Sequence, residues 1–250
     1  DGLEDHYSAA TRGRLMGTFA EDCARHYGFT REAQDAYAVT STTRAQGAIR
    51  DGQFGWETTP VTVAGRHGDT VVQQDEQPPK AQIEKISQLK PAFAKDGTVT
   101  AANSSSISDG AAALVLMRQS AAQAQGLTTL AVIRGHATHA QEPAWFTTAP
   151  VGAMRALLTR LNWTTQDVDL WEINEAFAVV TMAAMHDLQL PHERVNVHGG
   201  ACALGHPIGA SGARIIVTLL GALRQRGLQR GVASLCIGGG EATAIAIERL

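Results

Sequence analysis

The chain predicts a layered α/β fold with a mixed sheet, and three observations carry that prediction. From Asp109 onward, short apolar runs alternate with amphipathic helical stretches, the pattern of strands laid side by side and covered by helices. The last two strand-like runs are separated only by Gly-Gly-Gly-Glu at 238–241, too short for a crossover, so they pair as a hairpin. The 250 residues, 44% of them apolar, can bury one large core or two modest ones.

The first elements are helical. FAEDCARHY at 19–27 is amphipathic, and Thr30 caps a second helix that has Glu32 in its first turn and stops at Gly52. Residues 53–108 read as an irregular insertion with strand signals at PVTV (60–63) and TVV (70–72) and a break at QPPK (77–80). GAAALVLM at 110–117 reads as a buried strand, with a helix over QSAAQAQG behind it. Strands then follow at TLAVIRGHA (129–137), VDLWEI (168–173), VNV (195–197), GVASLCI (231–237) and ATAIAIE (242–248). The helices between them run over 151–161, 175–188 and 209–227. No tandem repeat stands out.

Charged residues are 18% and the formal net charge is −3, so nothing marks a nucleic-acid or polyanion surface. No apolar stretch reaches membrane-spanning length, and DGLEDHYSAATRGR at the start is neither a signal nor a transit peptide. The three cysteines, Cys23, Cys202 and Cys236, form no disulfide-scaffold spacing. Together these features predict a soluble protein of a reducing compartment, the cytoplasm. Asp1 in place of a methionine predicts either processing or the later part of something longer.

Chemistry concentrates in two glycine-rich turns, NVHGGACALGHPIGASG at 196–212 and Cys236-Ile-Gly-Gly-Gly. A thiol, an imidazole and bared peptide N–H groups are parts of an acyl-transfer or carbanion site. Three residues each carry two readings. Asn174, at the carboxyl end of a strand, presents an amide to a ligand or caps the next helix, with Glu175 serving that helix's dipole. His206, between Gly205 and Pro207, is a site base or a turn histidine. Cys236 is a thiolate held by backbone N–H groups, with the Gly238 N–H open to an oxyanion, or a small buried hydrophobe like Cys23 and Cys202. His198, Cys202 and His206 have the i, i+4, i+8 spacing of zinc ligands only on a helix, which the intervening glycines and proline oppose, so no metal is expected. Gly205, Gly209 and Gly212 before a helix could cradle a phosphate but lack the Lys-Ser/Thr of a P-loop.

NEAFA at 174–178, NVHGGACALGHPIGASGAR at 196–214 and CIGGGEATAIAIE at 236–248 together resemble the thiolases, the acetyl-CoA C-acetyltransferase and 3-ketoacyl-CoA thiolase family. The resemblance continues upstream in MGTFAEDCARHYG at 16–28 and DGTVTAANSSSISDGAAALVLM at 96–117, and so covers essentially the whole chain. It implies a thiolase-like layered α/β fold of two similar halves with a loop domain inserted in the first. Residues 1–107 would be that CoA-binding loop domain, 108–127 the last strand and helix of the N-terminal half, and 128–250 the C-terminal half. The family's nucleophilic cysteine belongs to an earlier part that these residues lack, and Cys23, in a loop-domain helix, does not replace it.

The resemblance also implies roles. His206 would activate the missing thiol, and Cys236 would move the α-proton of the second acetyl-CoA. Asn174 would hold a water that makes an oxyanion hole with His206, and the Gly238 N–H would join a second hole. A thiol of ordinary pKa, ~8.5, would serve in both directions. For coenzyme A, Ser105 would bond the pantetheine, and Met16, Phe93 and Phe177 would supply apolar contacts. Where many members carry an arginine near the phosphates this chain reads Pro78-Pro79-Lys80, so Lys80 is the substitute. Where many read Met-Gly-x-Gly-Pro it reads Phe146-Thr147-Thr148-Ala149-Pro150, and the bulky ring argues for a short acyl group.

The implied reaction is the reversible condensation of two acetyl-CoA to acetoacetyl-CoA and CoA, or the matching thiolysis, with the present residues incomplete for it. Coenzyme A and acetyl-CoA enter as substrates, and no permanent cofactor is expected. The expected partners are copies of itself, as a homodimer or homotetramer, and the missing N-terminal segment as a covalent or nicked partner, with no nucleic acid and no membrane. The alternative is a non-catalytic acyl-CoA or lipid-binding relative. An apolar sheet face left open by the missing part is expected to make these residues poorly soluble alone.

Overall fold

The computed structural model of the chain describes residues 4–5 and 9–250; residues 1–3 and 6–8, within the opening stretch read above as no signal peptide, lie outside them. Helix α1 (Met16–Tyr27) buries Met16, Phe19, Ala20 and Cys23 on one face. It ends at Gly28, whose left-handed φ of 67° returns its N–H to the Arg25 carbonyl. Helix α2 (Arg31–Arg50) starts at the expected cap, where Thr30 accepts a hydrogen bond from the Ala33 N–H at 3.2 Å. The insertion that follows holds an antiparallel pair, β1 (Val61–Val63) and β2 (Thr70–Val72), exposed on both faces. QPPK, expected as a break, instead makes one helical turn, α3 (Gln77–Lys80). Proline is tolerated there because first-turn N–H groups have no intrahelical acceptor. A 3₁₀ turn spans Ile83–Gln88.

Helix α4 (Gln119–Ala124) forms where expected, but the buried strand expected at 110–117 does not. Val115 is 87% exposed, and no strand among the described residues pairs with the segment. A strand needs a neighbouring ladder to satisfy its backbone, and none of the described residues supplies it.

The central layer is a four-stranded sheet of β3 (Ala131–Ala140), β4 (Leu170–Ile173), β5 (Arg230–Ile237) and β6 (Glu241–Arg249), in the order β3-β6-β5-β4. β4 and β5 run parallel, and the other pairings are antiparallel, so the sheet is mixed as predicted and β5–β6 is the expected hairpin. Helices α5 (Ala149–Leu161) and α6 (Ala178–Leu188) lie on one face, where Met154 and Leu157 pack with Trp171, Ile173, Val232 and Ala244. After the short α7 (Ala201–Leu204), α8 (Ser211–Gln225) covers the other face, with Ile215 and Leu219 against Leu170, Ala233 and Ile247. The period-2 alternation of Leu170/Trp171 and Val232/Ala233 sends successive side chains to opposite cores.

Two predicted boundaries move. VNV is not a strand: Val195 makes one parallel bridge to Trp171, and Asn196 then turns to φ 47° and leaves extended space. Helix α6 begins at Ala178 rather than Glu175, because residues 176–177 are held extended against Ser104 and Ser105. The Ala176 carbonyl accepts from the Ser105 N–H at 3.0 Å, and the Ala178 N–H donates to the Asn103 carbonyl at 2.8 Å.

That extended turn points Glu175 into the interior, where it is fully buried. Tyr37 Oη (2.8 Å) and Asn196 Nδ2 (2.8 Å) donate to its Oε1, and Ser41 Oγ (2.8 Å) and the Cys202 N–H (3.0 Å) to its Oε2. Any side chain at Gly200 would overlap the same carboxylate. From α2, Arg44 reinforces the junction by donating to the carbonyls of Val195 (2.7 Å) and His192 (3.0 Å). Glu175→Ala would strand these buried donors and is expected to lower stability by about 3 kcal/mol. Removing the exposed Asp51 of the Arg50–Asp51 pair should change it by less than about 0.5 kcal/mol, both differences being read by urea titration.

Candidate active site

The carboxyl ends of the parallel strands β4 and β5 bring Asn174 and Cys236 to one edge of the sheet, and the Asn174 N–H is tied to the Ser234 carbonyl at 3.0 Å. Asn174 is 1% exposed and does not cap α6, whose N-cap is Phe177. Its Nδ2 lies 3.3 Å from His206 Nε2, and its Oδ1 has no partner. Of the two readings of Asn174, the structure removes the helix cap.

His206 is held at both ends. Its N–H donates to the Ser106 carbonyl at 3.0 Å, and its Nδ1 lies 2.5 Å from Ser211 Oγ, at the first residue of α8. Ser211 Oγ–H in turn donates to the Pro207 carbonyl at 3.1 Å, which leaves Ser211 an acceptor toward the ring. The consistent pattern is Nδ1–H donating to Ser211 and the Nε2 lone pair facing Asn174 Nδ2–H, the tautomer of a base. Burial, with Arg214 adding, lowers the His206 pKa, so the ring is neutral at pH 7. Behind it, burial pushes the Glu172 carboxyl up to about 8 although Arg214 stands 3.7 Å away.

Cys236 is buried in an apolar cluster with Met16, Phe19, Phe146 and Phe177. Burial pushes its thiol up to about 12, so the expected near-neutral thiol is not what this dry setting produces. The glycine triplet turns tightly after it: Gly240 has φ 94°, its N–H donates to the Ile237 carbonyl at 3.1 Å, and a Cβ there would overlap the Gln141 carbonyl. Gly238 abuts Met16, with the sulfur 3.6 Å from where its Cβ would sit.

The residues expected to meet coenzyme A are mostly together. Phe93 packs on Gly17 and lies 6.0 Å, edge-on, from Phe177, and Phe177 lies 6.5 Å from Phe146. Ser105 Oγ donates to the Ala176 carbonyl at 3.0 Å. Lys80 stands apart from this group, exposed and paired with Glu76 at 2.8 Å. Residues 198–206 do not form one helix: His198 turns edge-on to Phe54, and the Cys202 sulfur faces the Glu175 carbonyl.

Sequence reasoning missed Ser211, Asn196 and the binding role of Glu175. Ser211, five residues beyond His206 at a helix start, was the one readable signal.

His198 is pulled down to about 4, by burial first and Arg226 second. An unfolded histidine near 6.5 binds a proton that the folded one refuses, so stability should fall as pH drops from about 7 to 4. Replacing His198 by Gln should flatten that fall, read as the urea midpoint against pH.

Comparisons with known proteins fit this geometry. The family model "Thiolase, N-terminal domain" matches residues 1–120, and "Thiolase, C-terminal domain" matches residues 127–249. The chain is 47% identical over 251 aligned residues to the acetyl-CoA acetyltransferase of Cupriavidus necator, covering 100% of this chain and 63% of that protein. The crystal structure of the Bacillus anthracis acetyl-CoA acetyltransferase superposes with a TM-score of 0.95 at 44% identity, over 99% of this chain and 62% of that one. The Acat5 thiolase of Ascaris suum, crystallised with coenzyme A, superposes with a TM-score of 0.84 at 41% identity, over 95% and 61%. The chain thus spans less than two thirds of the length of these relatives, yet both family models and the layered fold agree: it belongs to the thiolase family.

Proposed function

We propose that these residues form the enolate-handling part of an acetyl-CoA C-acetyltransferase, a thiolase that joins two acetyl-CoA reversibly into acetoacetyl-CoA and CoA. The observation that carries this reading is the 3.3 Å approach of Asn174 Nδ2 to a neutral His206 at the sheet edge that also presents the buried Cys236 thiol. The division into a loop domain (1–107), the end of the N-terminal half (108–127) and the C-terminal half (128–250) belongs to the same proposal.

In the cleavage direction, His206 Nε2 takes the proton of a cysteine thiol contributed from outside these residues. That thiolate adds to the ketone carbon of acetoacetyl-CoA. The bond between the two acetyl units breaks, and its electron pair passes to the α-carbon as an enolate. Asn174, through a water bonded to its free Oδ1, and protonated His206 stabilise the enolate oxygen, an effect worth ~3 kcal/mol per donor. The Cys236 S–H gives its proton to the α-carbon, releasing acetyl-CoA. A thiol near 12 is a weak acid in water but a strong one beside a thioester enolate, and it stays protonated until needed. CoA–SH then gives its proton to the Cys236 thiolate and its sulfur adds to the acyl carbon, Gly238 N–H helps hold the tetrahedral oxyanion, and the nucleophile leaves as a thiol by taking back the proton from His206. Ser105, Met16, Phe93 and Phe177 line the pantetheine path, and Lys80 would have to leave Glu76 to meet the phosphates. The CoA complex of the related Ascaris thiolase supports an acyl-CoA ligand.

Neither Cys23 nor Cys202 supplies the nucleophile. Both are buried, and burial pushes Cys23 up to about 11 and raises Cys202 strongly. The nucleophile belongs to a further N-terminal segment, in the same polypeptide or nicked from it. We also assign the protein to the cytoplasm and to acyl-CoA or fatty-acid metabolism, as a homodimer or homotetramer. The half-exposed valines of the β1–β2 hairpin support self-association, and no helix among the described residues is long and apolar enough to cross a membrane.

The lack of a nucleophile among these residues favours a second reading, an acyl-CoA-binding relative without catalysis. Thiolysis of acetoacetyl-CoA by CoA, followed at the 3-ketothioester absorbance with protein expressed from its complete reading frame, separates the two. Turnover is expected, and Cys236→Ala should lower kcat by about 10²–10⁴-fold. CoA binding without turnover would establish the second reading.

A further inference from the structure

Asn196 is 1% exposed and held at φ 47°, and apart from a 3.4 Å contact of its Nδ2 with Tyr37 Oη its side-chain hydrogen bonds go to the residues flanking Asn174. Its Oδ1 accepts from the Ile173 N–H at 2.8 Å, and its Nδ2 donates to the Ile173 carbonyl and to Glu175 Oε1, each at 2.8 Å. Its own N–H donates to the Trp171 carbonyl at 2.9 Å, and its carbonyl accepts from the Gly199 N–H at 2.9 Å. The backbone at 196 therefore leaves β4, while the side chain continues the pairing for one more residue in place of a strand.

Asn174 is thus caught between two neighbours fixed by one amide, with its own N–H on the Ser234 carbonyl. The same Asn196 opens the run that ends at His206. We infer that Asn196 is a positioning residue for the Asn174–His206 pair, clamping the backbone at Ile173 and the Glu175 carboxylate so that Asn174 Nδ2 meets His206 Nε2. The inference rests on the acyl-transfer reading above. No other common side chain fits. Aspartate would oppose the Ile173 carbonyl and Glu175 with acceptors, glutamine is a methylene too long, and serine cannot span both partners.

The test uses protein expressed from its complete reading frame. Asn196→Gly keeps the positive φ and removes the amide, whereas Asn196→Asp keeps the shape and only the acceptor to Ile173. In Asn196→Gly the Ile173 amide should exchange at least about 30-fold faster while amides within β5 stay protected, and in Asn196→Asp it should remain slow. Both variants should lose about 10–100-fold in kcat with KM for acetoacetyl-CoA within about 3-fold. In an Asn174→Ala background neither should cost more than about 3-fold further, because Asn196 acts through Asn174. Unchanged Ile173 exchange, losses that multiply with Asn174→Ala, or a raised KM at full kcat would each overturn the inference. If Asn196→Gly does not fold, Asn196→Asp carries the kinetic comparison, and wild-type kcat in it overturns the inference. A wild-type protein without thiolysis would reject the acyl-transfer reading instead, and the exchange rates alone would decide the clamp.

Discussion

The buried carboxylate of Glu175 is the interaction on which the rest of the arrangement depends. A carboxylate out of water is tolerable only when its lone pairs are bonded. Here the carboxylate stands in the turn after β4, and its donors come from α2 and from residues 196–202. Three segments far apart in sequence are therefore held to one another by a single group. The glycine at 200 follows from this packing, because no side chain could stand where the carboxylate does. Asn174 and His206, which flank that junction, inherit its rigidity.

The site that results contrasts two titratable groups in one dry environment. Burial moves His206 down and Cys236 up, so the imidazole is unprotonated and the thiol protonated over the same pH range. In the proposed mechanism the one accepts a proton and the other gives one, the division of labour that proton transfer at a carbon requires. The aromatic wall of Phe19, Phe146, Phe177 and Phe93 maintains the dryness that raises the Cys236 thiol. The helix carrying Ser211 and Arg214 sets the ring's tautomer and adds to its depressed basicity.

The flank around this site is apolar and open. Ile107, Val115, Leu116, Ile208 and Ile237 are exposed, and the run at 110–117 pairs with no strand among the described residues. These exposed side chains accord with the further segment proposed above to bear the nucleophile.

Much of the fold was legible in the sequence. The Thr30 cap, the helices at α1, α5 and α8 and the β5–β6 hairpin each follow from local rules of capping, periodicity and loop length. The glycine-framed His206 and Cys236 and the strand-end Asn174 were legible as candidates, because their residue types and neighbours suit the proposed chemistry. Tertiary structure alone decided what depends on distant partners. Residues 110–117 have every strand propensity but no ladder, Asn174 is freed from capping by a turn pinned to Ser104 and Ser105, and Cys236 is raised by a wall drawn from four segments. Glu175 reads locally as a helix-dipole residue, and only the arrival of Tyr37, Ser41 and Asn196 makes it the anchor. Propensity and capping act over a few residues, whereas hydrogen-bond satisfaction and desolvation are settled by whatever the folded chain brings within reach.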